Sequence, residues 1–125
     1  MTFVLADTSV WVDHFRSRDP MLDQMLADSR VRMHPFVIGE LAMGSLPRRP
    51  QVMQQLYDVR RIRSVSEEEV LHLVESGPHH GTGLSWIDAH LLAAVLLVED
   101  LCLWTRDRRL NQAAARYGRA LAPHH

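Results

Sequence analysis

Two short apolar segments, each followed by a polar turn with an aspartate, constrain the fold of this chain more than any other feature. The first covers Phe3–Ala6 and is followed by Asp7; the second covers Leu101–Thr105, and Asp107 comes two residues later. An uninterrupted apolar run of this length is typical of a strand that is buried on both faces of a parallel sheet. Because ligands bind at the carboxyl ends of the strands in open α/β sheets, we expect Asp7 and Asp107 to lie together at a functional edge.

Helical patterns occupy most of the remaining chain. Apolar residues recur at helical spacing, and signals such as Asp19-Pro20 mark helix starts. The predicted helices begin near residue 10 and then cover 20–26, 36–44, 51–61, 67–76, 85–99 and 108–117. A second strand is predicted over 31–33 and a final edge strand over 120–122. Because strands and helices alternate, we expect one α/β domain over residues 1–125, with a mostly parallel sheet covered on both faces.

Composition excludes several classes of protein. Cys102 is the only cysteine, so no internal disulfide can form, and a reducing compartment is expected. The amino terminus lacks the pattern of a secretory signal, and the longest apolar stretch, 91–98, is too short to span a bilayer. We therefore expect a cytoplasmic protein that does not enter a membrane.

The charge balance gives no global signal for nucleic-acid binding, because the formal net charge is −1. All 14 basic residues are arginine, however, and the guanidinium group suits bidentate contact with phosphate. A genome rich in GC codons would produce the same bias, so both explanations of the arginines stay open.

The first helix begins directly after Asp7. Thr8 or Ser9 is expected to cap it, ahead of Val10. The alternative is that Asp7 itself helps to cap this helix and has no other role. A strand that is followed by an aspartate, a serine or threonine and then a helix is a common junction.

Two further acids, Glu40 and Asp88, occur in apolar helical segments. A carboxylate in such surroundings is expensive to bury unless it is paired or bound to a cation. A structural role is the alternative for each of them. Glu40 can lie on an exposed face of its helix, and Asp88 can form a capping box with Ser85.

Carboxylates that meet at one edge of a sheet repel one another and raise each other's pKa. A divalent cation reverses this balance, and Mg²⁺ or Mn²⁺ prefers carboxylate and water oxygens as ligands. Such a site can orient a water molecule for in-line attack on a phosphodiester and stabilise the charge that develops. Asp7 and Asp107 share an edge if the sheet is parallel, and Asp88 can join them, so these three are the candidate metal ligands.

Four motifs in order give the chain a resemblance to the PIN-domain family, and more narrowly to the VapC-like toxins of type II toxin–antitoxin pairs. The motifs are Leu5–Asp13, Val37–Leu41, Leu84–Ala94 and Leu103–Leu110. Each motif alone is weak, but the four in this order extend over nearly the whole chain. The resemblance implies an α/β/α sandwich with a central, mostly parallel sheet.

The resemblance also implies a function, that of a metal-dependent endoribonuclease that hydrolyses RNA with Mg²⁺ or Mn²⁺. The acids of the family's catalytic site would be Asp7, Glu40, Asp88 and Asp107, with Ser9 and Thr105 as their partners. The resemblance further implies inhibition by a cognate antitoxin, whose tail fills the groove, and assembly as a homodimer.

One departure from the family concerns the metal. Some relatives carry a further acid two residues beyond the position of Asp107, where this chain has Arg109, so we predict one ion and leave a second one open. Arg106, Arg108 and Arg109 can contact phosphate or partly neutralise the acids. Alternatively, these arginines contact the antitoxin or face solvent, and both interpretations stay open.

Several rival functions share parts of this pattern. A phosphatase of the haloacid-dehalogenase type also begins with a strand and an aspartate, but it needs an aspartate where this chain has Ser9 and a lysine, which this chain lacks. A DNA-directed nuclease, a PIN-like nuclease outside a toxin–antitoxin pair and a catalytically silent module that binds nucleic acid or protein stay open.

The three tryptophans, Trp11, Trp86 and Trp104, could stack on bases. Each of them lies in an apolar stretch, so packing in the core is the favoured interpretation.

Overall fold

The structure, a computed structural model, describes residues 2–121. In this part of the chain three parallel strands form a sheet in the order β2-β1-β3. They are β1 (Phe3–Ala6), β2 (Val31–Arg32) and β3 (Leu101–Trp104). The central strand β1 pairs with β3 along its whole length, so that Ala6 lies opposite Trp104. Both strands therefore end at the same side of the sheet, which we call the carboxyl edge.

Seven α-helices connect and follow the strands within residues 2–121, one for each predicted helix. They are α1 (Thr8–Arg16), α2 (Pro20–Ala27), α3 (Pro35–Met43), α4 (Arg49–Asp58), α5 (Glu67–Ser76), α6 (Trp86–Leu97) and α7 (Arg108–Arg116). Among them there is no helix with the length and apolar character that crossing a membrane requires.

An additional pairing next to β2 explains where α4 ends. Met33 forms a parallel bridge with Arg61. The N–H of Met33 donates to the carbonyl of Arg60 at 2.9 Å, and the N–H of Ile62 donates to the carbonyl of Met33 at 3.0 Å. The chain is therefore extended at Arg61, and the prediction of a helix over 51–61 is wrong at its carboxyl end.

A second bridge, between Leu103 and Ala120, extends the sheet next to β3. The N–H of Leu103 donates to the carbonyl of Arg119 at 2.7 Å, and the N–H of Leu121 donates to the carbonyl of Leu103 at 2.9 Å. The predicted edge strand over 120–122 thus begins with a paired residue, while residue 122 lies outside the described residues.

The helices form two layers. Contacts between helices fall mainly into two groups, α1 with α3 and α3 with α4 in one, and α5 with α6 and α6 with α7 in the other. The chain first moves outward from β1 through β2 and then returns to β3 on the other side of β1. The two crossovers run in opposite directions, and because crossovers are right-handed, α1 of the first and α6 of the second lie on opposite faces of the sheet. The predicted α/β/α architecture is confirmed.

The core is centred on β1 and α6. Trp11 is fully buried, and every residue of α6 from Ala89 to Val95 is buried, because this helix contacts α5, α7 and β3. Trp11 and Trp104 pack in the core, as predicted. Trp86 is 43% exposed, so the prediction of core packing is wrong for this residue, which lies in the first turn of α6.

Candidate active site

Asp7 lies where β1 ends and α1 begins, and only 7% of it is exposed. Its Oδ1 accepts hydrogen bonds from the backbone N–H groups of Ser9 at 3.0 Å and Val10 at 3.3 Å and from the Ser9 hydroxyl at 2.5 Å. Its Oδ2 accepts a hydrogen bond of 2.5 Å from the Thr105 hydroxyl. Asp7 is therefore the cap of α1, rather than Thr8 or Ser9 as predicted, and the same contacts hold its carboxylate in one direction.

The hydroxyl group of Thr105 connects Asp7 to Asp107. While Thr105 Oγ1 donates to Asp7, it accepts the backbone N–H of Asp107 at 3.0 Å. Asp107 in turn caps α7, where its Oδ1 accepts the N–H of Arg109 at 2.9 Å. The two aspartates thus have equivalent positions on adjacent strands, each following a strand and each capping a helix.

Glu40 reaches the same edge from α3. Its Oε1 accepts a hydrogen bond of 3.2 Å from the hydroxyl of Thr8, the residue that follows Asp7. Glu40 is exposed and lines an open groove with a volume of about 260 Å³. Glu40 therefore lies on an exposed face of its helix, which was the structural alternative for this residue. It also lies beside Asp7 at the carboxyl edge.

Asp88 lies in the first turn of α6 and completes the capping box that the sequence suggests. It donates its N–H to the Ser85 hydroxyl at 3.0 Å, and its Oδ2 accepts the Ser85 N–H at 3.1 Å. Because α6 leads into the amino end of β3, its first turn lies at the level of the carboxyl edge. Within residues 2–121 Asp88 has no direct hydrogen bond to the other three acids.

The arrangement of the acids can be tested against a metal ion. No group of three acidic, histidine or cysteine side chains in residues 2–121 is close enough together to hold an ion. Mg²⁺ does not require such a group, because it keeps several waters and binds through one or two carboxylates. The four acids also have no salt-bridge partner in the described part of the chain. Carboxylates without a cationic partner fit a hard divalent cation. Among the four acids, Asp7 and Asp107 are the pair that the structure connects through one side chain, that of Thr105.

Arg106 is paired within the chain and does not neutralise these acids. Its guanidinium donates to Asp13 and Asp19, at 3.0 Å in each case. Its backbone N–H donates to the Ser9 hydroxyl at 2.9 Å, so the Ser9 oxygen is held between this N–H and Asp7. Arg106 therefore joins the end of β3 to α1 and to the start of α2, and it positions Ser9.

Arg108 and Arg109 line an open cleft beside Asp107. The cleft has a volume of about 530 Å³ and is also lined by Gly83 and Gln112. Gly83 has a φ of +89°, and a Cβ atom there would lie 2.4 Å from Nη1 of Arg109. Glycine at this position therefore permits both the backbone turn and the contact with the Arg109 side chain. The cleft combines one acid with two cations.

An aromatic cluster, which consists of His34, Phe36, Trp86 and His90, lies at the amino ends of α3 and α6. The centroid of the His90 ring lies 4.6 Å from that of Phe36, 4.5 Å from that of Trp86 and 6.3 Å from that of His34. Both histidines are buried, whereas Phe36 and Trp86 are partly exposed. The cluster was not predicted; the four-residue spacing of Trp86 and His90 on one helix is the signal that could have indicated it.

His34 caps α3 with a neutral imidazole ring. Its Nδ1 accepts the N–H of Phe36 at 2.9 Å, and burial, with a smaller contribution from His90, lowers the pKa of His34 from 6.5 to about 4. Below pH 6.5 the unfolded chain takes up a proton at this residue that the folded chain does not. Stability therefore decreases as the pH falls from about 6.5 towards about 4.

We expect the free energy of unfolding to fall by about 2 kcal/mol between pH 7 and pH 5 because of His34 alone. His34→Asn should remove this part of the decrease, since asparagine keeps a capping acceptor but does not titrate. Urea unfolding of the parent and the variant at both pH values, followed by circular dichroism, measures the difference. The same pH dependence in both proteins would contradict the expectation.

Most of the chain matches a known family, because a family model described as PIN domain covers residues 4–116. The chain belongs to the PIN-domain family. It is similar to Ribonuclease VapC32 of Mycobacterium tuberculosis, with 44% identity over 119 residues that cover 95% of this chain and 96% of the relative, in strains CDC 1551 / Oshkosh and ATCC 25618 / H37Rv alike. The predicted resemblance to VapC-like proteins is thereby confirmed.

A solved structure shows the same fold. The crystal structure of PAE2754 from Pyrobaculum aerophilum matches this PIN domain with a TM-score of 0.70 at 15% sequence identity, covering 96% of this chain and 88% of that one. At this level of identity the likeness concerns the fold alone.

Proposed function

We propose that this PIN domain is a metal-dependent endoribonuclease that hydrolyses phosphodiester bonds in RNA and acts as the toxin of a type II toxin–antitoxin pair. The observation that carries the proposal is the set of uncompensated carboxylates at the carboxyl edge, with Asp7 and Asp107 joined through Thr105. RNA as the substrate is supported by the identity of 44% to a protein named a ribonuclease. A cytoplasmic location is part of the same proposal.

Asp7, Asp88 and Asp107 are proposed to hold one Mg²⁺ or Mn²⁺ ion. Because no three such side chains in residues 2–121 are close enough together to bind an ion directly, at least one of the three is proposed to reach the ion through a water molecule. When bound, the ion supplies positive charge beside the phosphoryl oxygens and lowers the pKa of a water molecule. Asp7 is held most firmly, because its two oxygens accept the hydrogen bonds from Ser9, Val10 and Thr105. Its carboxylate can therefore bind a cation without first losing rotational freedom.

Glu40 is proposed to act as a general base. It is exposed and is held only through the Thr8 hydroxyl within the described residues, so its second oxygen is available to water. A carboxylate in this position can accept the proton of the attacking water molecule.

The cleft lined by Arg108, Arg109 and Gln112 is proposed to bind the RNA backbone. Two guanidinium groups and an amide are suitable donors for phosphate oxygens. Because the cleft opens beside Asp107, an RNA chain bound there has a neighbouring phosphodiester group at the carboxyl edge. The attraction is local, since the chain as a whole carries a formal charge of −1.

The groove beside Glu40 is the proposed site for the antitoxin. Apolar side chains of Val12, Phe15, Leu41 and Leu46 line it together with this acid. Arg16 lines the groove as well, so a tail with apolar side chains, one basic group for Glu40 and one acidic group for Arg16 would match both the surface and the charge, and it would cover Glu40. The homodimer stays a prediction, which light scattering on the purified protein tests.

Cleavage of RNA should require a divalent cation. We expect the purified protein to degrade total bacterial RNA in Mg²⁺ or Mn²⁺ and to leave it intact in EDTA, because the uncompensated carboxylates repel phosphate when no cation is present. Gel electrophoresis over time measures cleavage, and single-stranded DNA is the parallel substrate. Equal cleavage in EDTA would exclude the metal-dependent mechanism, and equal cleavage of DNA would exclude a specific ribonuclease.

Thr105→Val should lower the rate of RNA cleavage by about 10- to 100-fold, because residues that orient a metal ligand typically contribute this much. Valine has nearly the same shape, but it cannot donate to Asp7 or accept the N–H of Asp107. Thr105→Ser keeps the hydroxyl and is expected to cleave close to the parent rate. A Thr105→Val protein as active as the parent would show that this connection is not needed.

A further inference from the structure

We propose that Trp86 and Phe36 form a stacking surface for one unpaired base of the bound RNA, next to the catalytic carboxylates. The inference rests on the proposed function, because it assigns a base-binding position to the same substrate. It concerns the exposed side of the aromatic cluster, which neither the acids nor the arginine-lined cleft includes.

Trp86 differs from the other two tryptophans in its exposure, and Phe36 beside it is also exposed. Trp11 and Trp104 are 0% and 8% exposed, whereas Trp86 is 43% exposed and Phe36 is 37% exposed. The Trp86 ring meets the His90 ring at an interplanar angle of 88° and the Phe36 ring meets it at 56°, so both rings are held by contact with His90 while part of their surface stays exposed. An aromatic ring that is held by its neighbours and partly exposed is suited to stacking on a base.

The position of the rings ties them to the substrate. Phe36 lies four residues before Glu40 on α3, so the two side chains share one face of this helix. Trp86 lies in the first turn of α6, as does Asp88, although the two side chains project from different sides of the helix. A phosphodiester beside Glu40 therefore has the two rings within reach of one of its own bases. Sequence-tolerant binding of single strands commonly uses such aromatic contacts.

His90 provides a second, independent observation. It is 5% exposed, and its Nε2 atom is buried without a hydrogen-bond partner in residues 2–121. A buried polar atom without a partner is costly. Unlike Nε1 of Trp11, which also has no partner among the described residues but lies in the core, Nε2 of His90 lies in a cluster with two exposed rings. A base edge or a ribose hydroxyl group at Phe36 and Trp86 can supply the missing partner when one of these rings moves aside.

The test measures RNA binding separately from cleavage. In an Asp7→Asn background, the affinity for a short fluorescein-labelled oligouridylate is compared with that for an abasic ribose-phosphate oligomer of equal length and charge. Trp86→Leu should weaken oligouridylate binding by about 5- to 100-fold, the range for loss of one stacked base. Trp86→Phe should keep most of the affinity. No variant should change binding of the abasic oligomer.

Tyr57→Leu is the matched control, because Tyr57 is a 58% exposed aromatic residue on α4, outside the aromatic cluster. It should bind both oligomers like the background protein. Oligouridylate should also quench the intrinsic tryptophan fluorescence, whereas the abasic oligomer should not, and this response should be absent in Trp86→Phe.

Two results would overturn the inference. Equal affinity of Trp86→Leu and the background protein for oligouridylate excludes stacking, and it leaves the proposed function intact as long as RNA binds. If Trp86→Leu instead forms a smaller species in light scattering with unchanged affinity, the rings belong to an interface between two copies of the chain. Failure of the background protein to bind either oligomer would contradict both the stacking surface and the proposed function.

Discussion

Asp7→Asn is expected to reduce RNA cleavage by at least about 100-fold while leaving the fold intact. The substitution removes a negative charge and a proposed metal ligand at nearly constant volume, and loss of a partner outside the ligand set alone costs about 10- to 100-fold. The asparagine oxygen can still accept the N–H groups of Ser9 and Val10, so α1 keeps its cap. Initial rates in Mg²⁺ measure activity, and thermal unfolding checks the fold.

Asp19→Asn is a matched control for this experiment. Asp19 caps α2 in the same way that Asp7 caps α1, since its Oδ1 accepts the N–H groups of Met21 at 2.9 Å and Leu22 at 3.1 Å. It is not among the proposed ligands. Arg106 loses one acid partner in this variant but keeps Asp13, and its bond to Ser9 comes from the backbone N–H, so cleavage by Asp19→Asn should stay close to that of the parent. If Asp7→Asn cleaved RNA as fast as the parent, Asp7 would have only its capping role.

Trp11→Ala is expected to lower the free energy of unfolding by about 3–5 kcal/mol, the usual loss when a large buried aromatic residue is truncated. Trp11 is fully buried, and the centroid of its ring lies 5.9 Å from that of Phe15. Since domains of this kind have a total stability of about 5–15 kcal/mol, the loss is a large share of the whole. Urea unfolding followed by circular dichroism measures it.

Trp11→Phe separates the aromatic bulk from the indole N–H. The Nε1 atom of Trp11 is buried and has no hydrogen-bond partner among residues 2–121. Phenylalanine keeps much of the packing and removes this unsatisfied donor, whose burial is itself unfavourable. We therefore expect Trp11→Phe to lose far less stability than Trp11→Ala. If both variants lost the same free energy of unfolding, an aromatic ring at this position would not stabilise the core.

The carboxyl edge could be predicted from the sequence because its determinants are local. Phe3–Ala6 and Leu101–Trp104 are apolar enough to be central strands, and the residues that follow them decide what the edge contains. The sequence could not decide between capping and metal binding for Asp7, Asp88 and Asp107. The structure shows why. Asp7 and Asp107 each cap a helix and Asp88 completes the capping box of Ser85, and each of the three does so with one carboxylate oxygen, which leaves the second for other contacts.

Other features depend on contacts between distant elements and could not be read from local patterns. The Thr8–Glu40 contact joins residues 32 positions apart, and the Arg106–Asp13 pair joins residues 93 positions apart. The end of α4 follows from the pairing of Arg61 with Met33, which overrides the helical spacing of the segment. The exposure of Trp86 likewise depends on which part of α6 the neighbouring helices cover.

The hydrogen bond between Thr105 and Asp7 spans 98 positions in the chain, and it has a consequence for synthesis. The central strand β1 is made before its neighbour β3, and about a hundred residues separate Asp7 from Thr105. A nascent polypeptide, or a fragment released when translation stops early, therefore holds the first acid of the site without the residues that orient it. In a nuclease that attacks RNA, this order delays the assembly of the site until the segment with Thr105 has left the ribosome and folded against β1.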